Sequence, residues 1–142
     1  FQAEDGIRDK RGGLVGSEMC IRDSDIAFLP YFPLASGLLT GKYRRGRAAP
    51  DGSRLTFWEP RPHLTLDADV LDAVENLTEL ARTSGHTILE LAVSWLLARP
   101  QVASVIAGAT TPDQVRSNFD AARWSISADE RSVIDAALGS TP

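Results

Sequence analysis

Two short stretches of this chain consist mainly of apolar residues. The first run, residues 26–29, stops at Pro30, and the second, residues 102–107, runs into Gly108. A short apolar run bounded by proline or glycine is typical of a strand that is buried in a parallel sheet. The pattern therefore predicts two strands, with a long segment of chain between them.

Two helices are predicted between these strands. The first begins near Asp67 and ends at Gly85, because glycine favours the end of a helix. The second opens with "TILE", where Thr87 and Glu90 have the spacing of a capping box, and it ends before Pro100. The apolar positions that recur at helical spacing are Val70, Leu71, Val74, Leu77, Leu80 and Ala81 in the first, and Leu89, Val93, Leu96 and Leu97 in the second.

Two more helices are predicted after the second strand. In "TTPDQ", Thr111 is a good N-cap, Pro112 suits the first helical position and Gln114 completes a capping box, so a short helix should run to about Asp120. The stretch "SADE", residues 127–130, caps a last helix that Gly139 ends. The order of elements is βα–βα, which predicts an α/β fold with parallel strands. Two strands cannot close a barrel, so this is the end of a larger α/β fold.

Both predicted strands lead into loops that contain glycine, "PLASGLLTGK" and "AGATTPDQ". Ligands of α/β folds bind at the carboxyl ends of strands, and the helix opened by Thr111 presents free N–H groups that favour a phosphate. The alternative is that these glycines only form turns. A long polar connection, residues 44–65, follows the first loop, and its length is typical of a functional or a disordered loop.

Composition and charge exclude several classes of function. The 142 residues carry a formal net charge of −4 and 43% hydrophobic residues, which suits one globular domain or part of one, without a nucleic-acid-binding surface. No apolar run reaches the roughly 20 residues that span a bilayer, and no signal peptide opens the chain, so we expect a cytoplasmic protein without a membrane partner. His63 and His86 lie far apart and no Cys/His cluster has zinc spacing, so no metal site is expected.

Residues 1–24 differ from the rest of the chain. They show no helical or strand period, and they contain the single cysteine, Cys20. "QAEDGIRD" resembles the in-frame translation of a common sequencing-library adapter, and "LVGSEMCIRD" resembles that of a transposase-type adapter. We therefore interpret residues 1–24 as an adapter-derived, disordered segment and residues 25–142 as the protein domain. A natural disordered arm is the alternative.

Three motifs in residues 25–142 resemble the aldo-keto reductase family. "LPYFPLASGLLTGKY" is similar to the segment at the family's strand 7, and "SVIAGATTPDQVRSNFDAA" is similar to its strand-8 cofactor segment. "GHTILELAVSWLLARPQVASVI" is similar to the helix between them. The resemblance implies the C-terminal part, strands 7 and 8 with their helices, of an incomplete (β/α)8 TIM barrel. The family implies reduction of aldehydes or ketones with a nicotinamide dinucleotide.

The same resemblance implies which residues bind the cofactor. Tyr31 matches the aromatic residue that packs against the nicotinamide, although it could instead be a core residue at a strand end. Lys42 matches a lysine near the cofactor phosphates, although it could instead be a solvated loop residue. The full set of matching positions is Tyr31, Pro33, Leu34, Ala35, Ser36, Lys42, Arg54, Gly108, Thr110, Gln114 and Asn118.

The chain also departs from the family pattern. Phe32, Ala107 and Ser117 stand where the family usually has serine or glycine, proline, and glutamate. The turn expected to receive the 2′-phosphate has only Arg116 as a nearby cation, and charge-assisted contacts give much of the selectivity for that group. The resemblance to the family implies NADPH as the cofactor, and the small number of cations at this turn makes NADH the alternative.

The family's catalytic Asp, Tyr, Lys and His lie on earlier strands, so we expect no catalytic residue in this chain and no activity of the chain alone. We also expect it to fold poorly without the other βα units. The parent would be an NAD(P)H-dependent reductase of a small-molecule carbonyl substrate, with its oligomeric state open. The alternatives are a non-catalytic nicotinamide-nucleotide-binding barrel, used as a sensor or channel-associated subunit, and a non-redox phosphate-binding TIM barrel.

Overall fold

A computed structural model of the chain describes residues 27–30, 32–53 and 68–138. Within these ranges the regular structure is helical and follows the predicted order. The helices are α1 (Ala68–Thr83), α2 (Ile88–Leu97), α3 (Pro112–Asp120) and α4 (Ala128–Ala137), and two 3₁₀ segments cover Ala35–Thr40 and Ala121–Arg123.

The two predicted strands meet at a single parallel bridge between Phe28 and Val102. The Phe28 N–H donates to the Gln101 carbonyl oxygen at 2.7 Å, and the Ala103 N–H donates to the Phe28 carbonyl oxygen at 3.1 Å. The described residues thus join the two runs in the predicted parallel direction, but they form no extended strands. The physical reason is that two neighbouring strands without a third are marginal.

Reciprocal capping boxes open α2 and α4, as predicted. The Thr87 N–H donates to Glu90 Oε2 at 2.7 Å, and the Glu90 N–H donates to Thr87 Oγ1 at 3.2 Å. Ser127 and Glu130 repeat this arrangement at the start of α4. The hydrogen bonds that each carboxylate accepts lower the pKa of Glu90 and of Glu130. The predicted end at Gly139 lies outside the described residues.

The cap of α3 differs from the prediction. The Gln114 N–H donates to Thr111 Oγ1 at 3.3 Å, so Thr111 is the N-cap. Gln114 Oε1, however, accepts hydrogen bonds from the N–H and the Oγ1 of Thr110, at 2.7 and 3.1 Å. The predicted reciprocal box is therefore wrong, because Thr110 offers two donors to the one side-chain oxygen. The bonds instead tie the preceding turn to the first turn of α3.

The core consists of two clusters that α2 joins. The first contains the buried residues Leu38, Tyr43, Val74 and Ile88, and the second contains Ala81, Leu91 and Ile134. α2 packs against α1, α3 and both 3₁₀ segments. Because α2 is apolar on nearly every side, its sequence pattern could not identify the buried face, and Leu97, which lies on the predicted apolar side, is exposed.

Polar side chains reinforce the contacts of α2. Asp135 Oδ1 on α4 accepts hydrogen bonds from Trp95 Nε1 at 2.7 Å and from the Arg99 guanidinium at 2.6 Å. The buried Ser94 Oγ donates to the Ala121 carbonyl oxygen at 3.0 Å. These bonds hold α2 in one orientation, since each satisfies a polar group in or near the core.

Some large apolar side chains of the described residues lie on the surface. Ile106 and Phe119 are 67% and 68% exposed, which is unusual for large apolar side chains.

None of the helices in residues 68–138 is both long and apolar enough to cross a bilayer. Within the described ranges, no group of three or more His, Cys, Asp or Glu side chains could hold a metal ion.

Candidate functional site

A cavity of about 800 Å³ lies between three parts of the chain that are distant in sequence. This volume lies within the range of small-molecule and cofactor sites, about 300–1,000 Å³. We call residues 32–42 the first wall and residues 106–118 the second wall; Leu29 and Pro30, Gly52 and Leu89 complete the lining. The lining residues within the walls are Phe32, Pro33, Leu34, Ser36, Gly37, Thr40, Lys42, Ile106, Ala107, Gly108, Thr110, Asp113, Gln114, Ser117 and Asn118.

The cavity gathers most of the residues that the sequence predicts as cofactor contacts. Of the nine predicted residues that are described, eight line it: Pro33, Leu34, Ser36, Lys42, Gly108, Thr110, Gln114 and Asn118. Ala35 does not line the cavity; it packs instead against the Leu38 cluster. Tyr31 and Arg54 lie outside the described residues.

The first wall is an irregular 3₁₀ turn, as the glycines predict. Ser36 and Gly37 both have left-handed backbone conformations, with φ of 57° and 97°. The Thr40 Oγ1 donates to the Gly37 carbonyl oxygen at 2.7 Å and closes the turn, which ends at the left-handed Gly41. A non-glycine residue with positive φ is uncommon and strained, and such strain is concentrated at functional sites. The turn directs the chain so that Ser36 and Lys42 both reach the cavity.

The Ser36 hydroxyl lies at the first wall without a hydrogen-bond partner among the described residues. Its side chain is only 5% exposed, and its Oγ has no hydrogen-bond partner within the part of the chain that the structure describes. A buried hydroxyl without a partner costs free energy, so such groups are rare unless a ligand or water completes them. The unpaired hydroxyl fits a site for a ligand that carries acceptor oxygens, such as a phosphate.

Lys42 supplies a positive charge to the first wall. Its side chain is exposed, and its Nζ lies 5.2 Å from the centroid of the Tyr43 ring. A lysine ammonium acts as a point charge with three donors, which suits it to phosphate oxygens. Together, Lys42 and Ser36 provide a cation and a hydroxyl donor on one side of the cavity.

The second wall has polar groups that are already paired. Thr110 and Gln114 bond to each other, as described above. The Arg116 guanidinium donates to Asp113 Oδ1 at 2.8 Å, and both side chains are largely exposed. Because Asp113 lines the cavity and holds Arg116, the positive charge of Arg116 beside this wall is partly neutralised. This wall therefore offers a 2′-phosphate less positive charge than the sequence alone indicates.

Sequence reasoning missed several lining residues. Leu89 lies at the start of α2, and only the packing of α2 against the first 3₁₀ segment brings it to the cavity. Gly37 and Asp113 lie inside the quoted motifs, so their spacing could have identified them. The three departures from the family pattern, Phe32, Ala107 and Ser117, all line the cavity.

Comparison with known proteins agrees with the motifs. The model of the aldo/keto reductase family matches residues 16–138, so the match begins within the segment that we compared with adapter translations. A probable voltage-gated potassium channel subunit beta from Arabidopsis thaliana is 40% identical over 98 residues, 68% of this chain and 30% of that protein. An NADH-specific methylglyoxal reductase from Escherichia coli (strain K12) is 36% identical over 107 residues, 75% of this chain and 32% of that protein.

An L-glyceraldehyde 3-phosphate reductase from Escherichia coli (strain K12) is 31% identical over 106 residues, 71% of this chain and 30% of that protein. The chain spans about a third of the length of the curated relatives that it matches. The family model covers most of the chain, and the same motifs line the cavity. The chain belongs to the aldo/keto reductase family.

Proposed function

We propose that this chain forms the phosphate- and adenosine-binding part of the nicotinamide dinucleotide site of a carbonyl reductase. Membership of the family implies a (β/α)8 barrel and an oxidoreductase that uses NAD(P)H. The first wall, with Ser36 and Lys42, would hold the pyrophosphate, and the second wall, with Thr110 and Gln114, would hold the adenosine end. The reduced dinucleotide would supply the hydride to an aldehyde or ketone.

One observation carries this proposal. Eight residues that sequence motifs assign to the cofactor come from two segments more than sixty residues apart in the numbering, and they line one cavity of about 800 Å³. The unpaired Ser36 hydroxyl adds an independent reason for a ligand with acceptor oxygens. A chance gathering of loop glycines would not also leave a buried donor and a cation at the same wall.

The proposal also covers the position of the catalytic residues, the choice of cofactor, the substrate and the cellular location. We propose that the proton donor to the carbonyl belongs to strands that precede this chain in the parent, so that the chain alone binds cofactor without turnover. NADPH is the proposed cofactor, with NADH as the alternative that the paired Arg116 favours. A small carbonyl compound as substrate and a cytoplasmic location also belong to this proposal, and fractionation of expressing cells would test the location.

A titration of the full-length parent tests cofactor binding, because the chain alone is expected to fold poorly. We expect NADPH or NADH to quench tryptophan fluorescence of the parent in a saturable way, whereas a simple sugar phosphate at the same concentration should not. Quenching by the sugar phosphate alone would instead support the non-redox phosphate-binding barrel. With the purified chain and a generic aldehyde, we expect no oxidation of the reduced cofactor, and measurable turnover would contradict the proposal that the catalytic residues lie outside this chain.

A second candidate function rests on the Arabidopsis relative, whose name is that of a potassium channel subunit beta. In this alternative the parent binds the dinucleotide as a non-catalytic sensor or channel-associated subunit. Sequencing of the source locus upstream of Asp25 would separate the two functions. An intact Asp, Tyr, Lys and His set on the earlier strands, together with aldehyde reduction by the full-length parent, would support the reductase.

A further inference from the structure

The end of the Lys42 side chain lies directly against the backbone of Gly37. A Cβ placed on Gly37 would come within 2.7 Å of both Cε and Nζ of Lys42, so only glycine leaves room for this arrangement. Gly37 also has φ of +97°, which side-chain-bearing residues rarely adopt. The backbone of Gly37, which has no side chain, therefore forms one side of the space that the end of the Lys42 side chain occupies.

The ring of Tyr43 forms the second side of the space that the end of the Lys42 side chain occupies. Its ring is 3% exposed and belongs to the core cluster with Leu38, Val74 and Ile88, so its orientation is set by the core. The Lys42 Nζ lies 5.2 Å from the ring centroid, within the range of a cation–π interaction. A buried aromatic ring thus holds an exposed cation at the rim of the cavity.

We propose that Gly37 and Tyr43 are positioning residues, which hold the Lys42 ammonium in place before a ligand arrives. A free lysine side chain loses rotamer entropy when it is fixed on a ligand, so a lysine that is already held loses less. This inference rests on the proposed function for the identity of the ligand, since the ammonium would meet the phosphates of the dinucleotide. It assigns a physical role to the spacing of glycine, lysine and tyrosine in "SGLLTGKY".

Nuclear magnetic resonance tests the positioning without any cofactor. The chain has two lysines, Lys10 and Lys42, so the ε-methylene signals of a lysine-labelled sample can be assigned with a Lys42→Met variant. We expect a nuclear Overhauser contact between the Lys42 ε-protons and the Tyr43 ring, and a ring-current shift that Tyr43→Leu abolishes and Tyr43→Phe retains. Absence of the contact in the wild-type chain would overturn the proposal, even if the leucine variant fails to fold.

A double-mutant cycle tests whether the positioning matters for binding. Tyr43→Leu should weaken NADPH binding by about two- to fivefold, the size of an exposed cation–π interaction, and Tyr43→Phe should restore it. In a Lys42→Met background the leucine substitution should have no further effect. Equal effects in the two backgrounds would show that Tyr43 acts only through the fold, which would overturn the positioning role.

A Gly37→Ala variant gives a third readout. The added methyl group meets the flexible end of Lys42, so the lysine should move off the ring, the ring-current shift should fall and binding should weaken. A retained shift with unchanged binding would contradict the role of Gly37. If the full-length parent binds neither dinucleotide, the proposed function fails, and the resonance contact then decides separately whether Gly37 and Tyr43 hold Lys42.

Discussion

The two walls of the cavity satisfy their polar groups in opposite ways. The first wall keeps the Ser36 hydroxyl buried and unpaired and presents the Lys42 ammonium beside a ring. The second wall pairs Thr110 with Gln114 and Arg116 with Asp113. The first wall also contains strained positive-φ residues, whereas the second begins a regular, capped helix.

This difference indicates that the two walls contribute differently to ligand binding. An unpaired buried donor and a free cation gain hydrogen bonds when a ligand with phosphate oxygens enters, so the first wall should contribute most of the affinity. At the second wall, the hydrogen bond between Thr110 and Gln114 and the ion pair between Arg116 and Asp113 must break before these polar groups can bind a ligand. We therefore expect the second wall to contribute shape and selectivity more than affinity.

Removal of the Lys42 charge should have the largest effect. Lys42→Met should weaken dinucleotide binding by about tenfold or more, since a hydrogen bond to a charged group contributes roughly 1.5–3 kcal/mol. The measurement is the dissociation constant from fluorescence titration at low ionic strength. Arg44→Met is the matched control, because Arg44 is an exposed neighbour that does not line the cavity. Equal losses in both variants would mean that only net charge matters.

Removal of the Ser36 hydroxyl should separate binding from stability. Ser36→Ala should weaken dinucleotide binding by about fivefold, the size of one hydrogen bond of about 1 kcal/mol, without lowering the free energy of unfolding. The matched control is Ser94→Ala, because Ser94 is equally buried but already bonded to the Ala121 carbonyl oxygen. That control should lose about 1–3 kcal/mol of stability and leave binding unchanged. Denaturant unfolding and titration together check both, and a destabilised Ser36→Ala would refute the comparison.

Release of Arg116 should change the selectivity between cofactors. Asp113→Asn removes the carboxylate that holds Arg116, so NADPH binding should improve relative to NADH by about threefold, within the range of exposed ion pairs of roughly 0.2–1 kcal/mol. The effect should shrink at high salt, since exposed charges are screened. Asp120→Asn is the control, because it releases Arg123 from a similar pair that does not line the cavity. The same change in both variants would contradict a local effect.

Acid should weaken the starts of α2 and α4, which Glu90 and Glu130 cap, but not the start of α3, which the Thr111 hydroxyl caps. Hydrogen bonds from Thr87 lower the pKa of Glu90, so its stabilising contribution is complete above the unfolded-state pKa of about 4.3. That contribution is lost as the pH falls through the lower folded-state pKa. We expect Glu90→Gln to flatten the decrease in unfolding free energy between pH 6 and pH 3 by about 0.5–1 kcal/mol.

The control for this effect is Gln114→Glu, which places a carboxylate at the start of α3. It should add a new acid-sensitive contribution there, because the native Gln114 amide, which accepts hydrogen bonds from Thr110, is neutral and does not titrate. Denaturant unfolding at each pH gives the free energies. An unchanged pH profile in Glu90→Gln would show that the carboxylate at the start of α2 contributes nothing measurable.

Much of the local structure followed from the sequence. The starts of α2 and α4 were predicted correctly because a capping box joins groups only three residues apart, as Thr87 and Glu90 show. The same rule failed at Gln114, where two equally local donors on Thr110 competed with the single N–H of Thr111. The predicted strands could not be judged from local pattern, since strand length depends on neighbours in the sheet.

The family motifs supplied the rest of the site prediction. Eight of the residues that they predict as cofactor contacts line the cavity, because the motifs lie in two short segments that the fold brings together. Motifs could not identify Leu89, which reaches the cavity only through the packing of α2. They also could not show that Ala35 turns to the core, since neighbouring residues in a tight turn point in different directions.

The helix starts, the glycine turns and the family can be read from the amino-acid sequence, because they depend on groups a few residues apart or on short motifs. Which side chains meet depends on the packing of the folded chain. This packing brought residues 32–42 and 106–118 to one cavity, left Ser36 without a partner and held Lys42 between Gly37 and Tyr43. These contacts depend on how α2 and the first 3₁₀ segment pack, and packing is a property of the whole core.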